Sequence, residues 1–234
     1  MNTSGNYYYP IEPLEEVALK NDIPIDYVNN TGPWNIDSSD LIICSTFHRI
    51  LRLEHIRSAQ HIVNIHPSLL PNYKGATPTN WQIYDDIQIT GVSAHLITSE
   101  EVDSGPIIAQ KEIFNPSLSD WQLRMTLAKL TEFLIDDIIE NFPKYTTIKG
   151  ASYSEGLSAL SSKKARTEGD ATYSLDQIES LRHLNCLIRA FDNYPNLRIK
   201  INERTFMVNY SNFTDLAEVK IDGNQVKLPG EWIV

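Results

Sequence analysis

Two short apolar runs constrain the fold more than anything else in this chain. They are "LIICSTF" (Leu41 to Phe47) and "HIVNIH" (His61 to His66). Each is too short for a packed helix, and neither alternates apolar with polar. Runs of this kind suit strands buried on both faces of a sheet, which needs helices above and below it. "LEHIRSA" between them has room for a helical turn, and Pro67 stops the second run. Further on, "TPTNWQIYDD" can open a helix with Thr77 or Thr79 as its cap. "TGVSAHLI" and "PIIAQKEIF" read as strands flanking the loop "TSEEVDSG". From Leu118 to Phe142 apolar residues recur at three- and four-residue steps, a long helix that Ser117 or Ser119 would cap. Strand and helix in alternation predict an α/β fold, a doubly wound and mainly parallel sheet.

Upstream, "EPLEEVALKND" reads as a short helix with Leu14, Val17 and Leu19 apolar among acids, and "IPIDYV" as a strand. A doubly wound sheet normally opens with a strand, helix, strand unit, so the first strand of this one is expected to be missing. Downstream, "SSKKARTEGDATYSL" is polar and rich in turn formers. The expected division is therefore a domain over 1–150, a linker over 151–172 and a C-terminal part over 173–234. That last part reads as a helix, "SLDQIESLRHLNCLIRAF", followed by β-hairpin strands.

Composition narrows the class of function. The 234 residues carry a formal net charge of -10. A nucleic-acid surface would have to be built against that field, so a nucleic-acid partner is not expected. Cys44 and Cys186 form no CxxC pair and fit free thiols in a reducing compartment. No apolar stretch is long enough for a membrane helix, and the N-terminus lacks the regions of a signal peptide. The expectation is a cytoplasmic enzyme with no membrane partner. His48, His55, His61, His95 and His183 have no ligand-like grouping with acids or cysteines, so no metal is expected.

Asn64 and His66 are two residues apart on a strand and therefore share a face. Pro67 fixes them at the strand's carboxyl end, where open α/β sheets hold ligands. An amide and an imidazole side by side suit oxyanion stabilisation and proton transfer. They equally suit turn hydrogen bonds and packing at the rim. Asp103, in "EEVDSGP", is either an ordinary Asx turn or a carboxylate that orients His66.

Taken together, "NIHPSLLPNYKG", "GVSAHLI" and "VDSGPIIAQ" resemble the formyltransferase family that uses N10-formyltetrahydrofolate, over roughly residues 14 to 145. The resemblance implies that Asn64, His66 and Asp103 are the catalytic trio, with Asp103 raising the pKa of His66. N10-formyltetrahydrofolate would be the cosubstrate, with no metal. It would lie between "STFHRILRLEH" and the loop bearing Asp103, which makes Phe47, Ile50, Ile97 and Val102 candidate contacts, with plain packing the alternative for Phe47 and Ile50. Leu51-Arg52-Leu53 stands where relatives usually carry a Pro.

Within that family, "GATPTNW" looks like the methionyl-tRNA and sugar branches, and the stretch from Ala165 to Val208 resembles the C-terminal part of the sugar N-formyltransferases. That resemblance implies an acceptor that is a nucleotide-linked amino-dideoxysugar, such as dTDP-4-amino-4,6-dideoxyglucose, for O-antigen and related surface glycans. It also implies a homodimer formed through the C-terminal part. A nucleotide pyrophosphate needs cations and an aromatic face, which singles out Lys74, Arg189, Trp81 and Tyr194. Arg189 as an internal bridge and Trp81 as core are the alternatives. Two other readings compete: a shortened folate-binding relative without turnover, and a glycinamide ribonucleotide or methionyl-tRNA formyltransferase.

Overall fold

The computed structural model describes residues 14–27, 39–47, 49–115, 117–145, 170–192, 195–211 and 213–233. By contact the chain divides into two units, residues 1–36 and 37–234. The first contains α1 (Leu14–Lys20), whose Leu14 and Leu19 are exposed while Ala18 is buried. Ile23 to Tyr27, expected as a strand, are not in one.

The second unit begins with a four-stranded sheet in the order β1-β2-β3-β4. Its strands are β1 (Ser39–Ser45), β2 (Ala59–His66), β3 (Ile89–Leu96) and β4 (Ile107–Phe114). The short helix α2 (Leu53–Ser58) links β1 to β2, and that crossover makes them parallel. β3 runs antiparallel to β2, and β4 antiparallel to β3. The α/β fold is as expected, and its sheet is mixed rather than mainly parallel. The connection from β3 to β4 has no crossover helix and can only make a hairpin.

Two helices flank this sheet: α3 (Pro78–Tyr84) and α4 (Asp120–Tyr145). Thr77 is the N-cap residue of α3 without a side-chain bond, and Thr79 Oγ1 instead donates to Asp120 at 2.6 Å. At the start of α4, Ser119 N–H donates to Gln122 Oε1 and Gln122 N–H to Ser119 Oγ, so Ser119 is the cap the sequence offers. Leu123, Leu127, Leu134 and Ile138 form one buried stripe of α4, the face its periodicity predicts. α4 packs on β3 and β4.

The C-terminal part is larger than a helix and a hairpin. A five-stranded sheet has the order β5-β6-β7-β9-β8. It comprises β5 (Thr172–Ser174), β6 (Arg198–Ile201), β7 (Arg204–Val208), β8 (Asp215–Ile221) and β9 (Asn224–Trp232). Asp222 and Gly223, both with positive φ, turn β8 into β9 as the Asp-Gly pair predicts. β5 pairs in parallel with β6 across α5 (Leu181–Ala190). Thr172 is already in this sheet, and most of the expected linker lies outside the described residues. α5 packs on α3, and one hydrophobic core runs from Val63 and Val92 through Leu187 to Phe206 and Leu228. Among the described residues, no helix is long and apolar enough to cross a membrane.

Candidate active site

The carboxyl end of β2 places Asn64 and His66 as the strand pattern requires, and Asp103 comes back to them from the β3–β4 loop. Asp103 has φ 49°, a left-handed conformation that Asp tolerates better than most residues. Its Oδ1 accepts from Asn64 Nδ2 at 3.2 Å, and its Oδ2 accepts from Gly75 N–H at 2.8 Å. His66 Nδ1 lies 3.4 Å from Oδ2. Both side chains are almost fully buried, 5% exposed for His66 and 9% for Asp103.

His66 Nε2 is 2.7 Å from the Tyr73 carbonyl oxygen. A carbonyl only accepts, so Nε2 carries a proton. In the neutral ring this leaves the Nδ1 lone pair facing a carboxylate, and protonating the ring turns that contact attractive. Burial opposes the charge and wins: it holds His66 below the usual imidazole range, although Asp103 and the Tyr73 carbonyl pull the other way. Asp103 does raise the His66 pKa as expected, but desolvation outweighs the carboxylate and the net shift is downward. For Asp103, burial pushes upward but is outweighed by His95, His66 and the Gly75 N–H, so its carboxyl stays below the usual range.

A fourth member was missed in the sequence. His95, considered there only as a metal ligand, is the register partner of Asn64 across β2–β3. Its Nε2 is 3.1 Å from Asn64 Nδ2 and 3.4 Å from Asp103 Oδ1, and its Nδ1 faces the Leu96 carbonyl at 3.2 Å. Both amide hydrogens of Asn64 are thus engaged inside the cluster. Donation to a developing oxyanion requires one of them to be exchanged. The signal for His95 was antiparallel register, which a single strand does not carry.

The loop after His66 is held by buried polar groups. Gln82 Nε2 donates to the Pro67 carbonyl at 2.9 Å, and Thr90 donates to Gln82 Oε1. Ser68 Oγ donates to the Asn72 carbonyl at 2.6 Å. Tyr73, at φ 57°, donates its hydroxyl to Asp85. Burial and that carboxylate push its phenol well above the usual range.

Phe47, Ile50 and Val102 are exposed apolar side chains, while Ile97 is half-buried with its N–H donating to the Ile62 carbonyl. Glu100 joins the two segments they stand on. Its Oε1 accepts from the Leu53 N–H at 2.9 Å, and its Oε2 lies 3.3 Å from Arg52 Nη1. Lys74 is half-buried, between Tyr73 and Gly75. Trp81 is half-buried on α3 and meets Tyr84 edge to face. Arg189 is an internal bridge: its guanidinium donates to Asp86, the Leu118 carbonyl and Asn185, with only 12% exposed. Tyr194 lies outside the described residues. Of the other described histidines, His55 Nδ1 accepts from the Arg52 N–H, and His61 and His183 meet Phe142 and Tyr84 edge to face. Among the described residues, no group of three or more His, Cys, Asp or Glu could hold a metal ion.

The mixed α/β sheet carries its Asn–His–Asp cluster at the carboxyl end of its second strand. Residues 32–120 match the family model described as Formyl transferase. A methionyl-tRNA formyltransferase of Azobacteroides pseudotrichonymphae is 28% identical over 198 residues, covering 78% of this chain and 58% of that protein. The chain thus spans less than two thirds of the length of that relative. Among solved structures, an N-formyltransferase from Helicobacter canadensis in complex with folinic acid and dTDP-3-aminofucose is similar, with 19% identity and a TM-score of 0.64, covering 97% of this chain and 87% of that one. WlaRD, a sugar 3N-formyl transferase solved in the presence of dTDP and 5-N-formyl-THF, is 21% identical with a TM-score of 0.65, covering 93% and 81%. At these identities the likeness is one of fold.

Proposed function

We propose that this protein transfers the formyl group of N10-formyltetrahydrofolate to the amine of a nucleotide-linked amino-dideoxysugar. The observation that carries the reading is the convergence of Asn64, His66 and Asp103 within hydrogen-bond reach, within or just ahead of strands that the family model covers. A neutral amine attacks the formyl carbon and a new N–C bond forms. The oxyanion that develops takes a hydrogen bond from Asn64 and one from His66 Nε2–H, each released from a present partner. The tetrahedral carbon then collapses, its bond to N10 of the folate breaks, and the amine's proton passes by way of a water beside Asp103 to N10. Preorganised donors of this kind are worth ~10²–10³ in turnover each. No metal enters this scheme.

A sugar acceptor is favoured by the similar folds that take in nearly the whole chain, whose proteins are N-formyltransferases crystallised with dTDP or a dTDP-amino sugar. A second reading has its own support: the curated relatives by sequence are methionyl-tRNA formyltransferases. The acceptor surface in the first reading is assigned to Lys74 and Trp81 beside the loop after β2, and the protein works as a homodimer.

Mass spectrometry of formyl transfer decides between them. The acceptors are dTDP-4-amino and dTDP-3-amino dideoxysugars, UDP-4-amino-arabinose, glycinamide ribonucleotide and charged methionyl-tRNA. A product heavier by one CO on a sugar nucleotide alone is the expected result. Formylation of methionyl-tRNA alone overturns the sugar reading. Folate binding without any product identifies a relative that has lost turnover.

A further inference from the structure

The register of β2, β3 and β4 lays three side chains in one row across the sheet: His66 is opposite Ser93, and Ser93 is opposite Gln110. Ser93 is fully buried. Its hydroxyl donates to the Ser68 carbonyl at 2.6 Å and accepts from the Leu70 N–H at 2.9 Å and from Gln110 Nε2 at 2.7 Å. One donor and two lone pairs are all that a serine hydroxyl has, so it is saturated. The other Nε2 hydrogen of Gln110 goes to the Leu70 carbonyl at 3.0 Å. Two side chains of the row therefore bind three backbone groups of the loop that leaves His66. The same loop continues to the Tyr73 carbonyl, against His66 Nε2, and the Gly75 N–H, against Asp103.

We propose that Ser93 and Gln110 are positioning residues, which fix the Ser68–Leu70 backbone and thereby hold the Tyr73 carbonyl and the Gly75 N–H against the His66–Asp103 pair. Neither reaches the reacting atoms. Gln110 is an exposed residue of an edge strand, a place where sheet stability alone makes little demand on an amide. What it holds is the loop. The kinetic side of the proposal rests on the formyl-transfer reading; the structural side does not.

The test compares Gln110→Glu, Gln110→Leu and Ser93→Ala with the wild-type protein. Gln110→Glu keeps the shape and replaces both donating hydrogens by an acceptor. Two readouts are taken: the ¹⁵N–¹H spectrum of the His66 ring, and kcat against KM for donor and acceptor. In the variants the Nε2 signal of His66 moves, and kcat falls ~10- to 100-fold, the size expected when a reacting group is displaced by up to 1 Å. KM stays within about twofold, because binding surfaces are untouched. If both Gln110 variants keep the wild-type His66 spectrum and kcat, the proposal is overturned. Should Ser93→Ala fail to fold, the Gln110 pair decides. Should the wild-type protein transfer no formyl group, the ring spectrum still decides: a shifted Nε2 signal upholds the positioning role while the formyl-transfer reading fails, and an unchanged one overturns it.

Discussion

His95 Nε2 and Asn64 Nδ2 stand 3.1 Å apart on neighbouring antiparallel strands, and both point at the same oxygen of Asp103. The cluster is therefore a closed set of four side chains, with the Asn64 amide donating to two of the others. Removing one member leaves another without its partner.

For that reason His66→Asn and Asp103→Ala should each abolish turnover while leaving folate binding nearly intact. Asn64→Ala should lower turnover by ~10²–10³, the loss expected from the oxyanion role proposed above. Single-turnover assays beside tetrahydrofolate titrations check this. A His66→Asn protein that kept a tenth of the wild-type rate would contradict the acid–base role given to His66.

The pH dependence of stability has a definite sign. His66 is held below its ordinary value of 6.5 and Asp103 below 3.8. In both, the unfolded chain binds its proton at a higher pH than the folded one, so stability falls as pH falls. The stability tied to His66 is complete above pH 6.5 and drains away as pH drops through the lower folded value. Asp103 does the same below pH 3.8. Urea unfolding of wild type and His66→Asn between pH 5 and 8 should give a steeper acid slope for wild type. Equal slopes would mean that His66 is not buried as described.

Glu100 tests the apolar edge beside the cluster. It ties the β3–β4 loop to the start of α2, between Phe47, Ile50 and Val102. Glu100→Ala should raise KM for the formyl donor severalfold with kcat little changed. Glu100→Gln, which keeps an acceptor for the Leu53 N–H, should restore most of it. An equal rise in acceptor KM would place Glu100 elsewhere.

Arg189 separates substrate binding from architecture. Its guanidinium joins α5 to Asp86 and to Leu118, two residues before α4 begins. Arg189→Ala should cost about 2 kcal/mol, as for a lost hydrogen bond to a charged group. At this chain length that is a fall of roughly 4–8 °C in Tm. KM for the proposed nucleotide-sugar acceptor should not change. A raised KM with an unchanged Tm would restore it to the substrate site.

Much of this was legible because the signals are local. The runs at β1 and β2 and the stripe Leu123, Leu127, Leu134, Ile138 carry their own periods, and Pro67 marks the strand end where Asn64 and His66 stand. Asp103 was found by resemblance, since nothing local separates it from an Asx turn. What stayed hidden depends on pairing. β5 is three residues long, with no pattern of its own, and exists because Arg198 to Lys200 offer it an edge. His95, Ser93 and Gln110 acquire their roles only from the register of β2, β3 and β4. Arg189 had two readings in the sequence, and only the position of Asp86, brought near by the α3–α5 packing, selects between them.

Gly105 closes the loop that bears Asp103, and a Cβ there would run into the Leu96 carbonyl. Glu100 and Asp103 therefore ride on one short segment whose far end has no slack. A change confined to the Glu100 side chain leaves that backbone in place, but an insertion, a deletion or a turn change between the two residues shifts Asp103 as well, so such variants should lose donor affinity and turnover together.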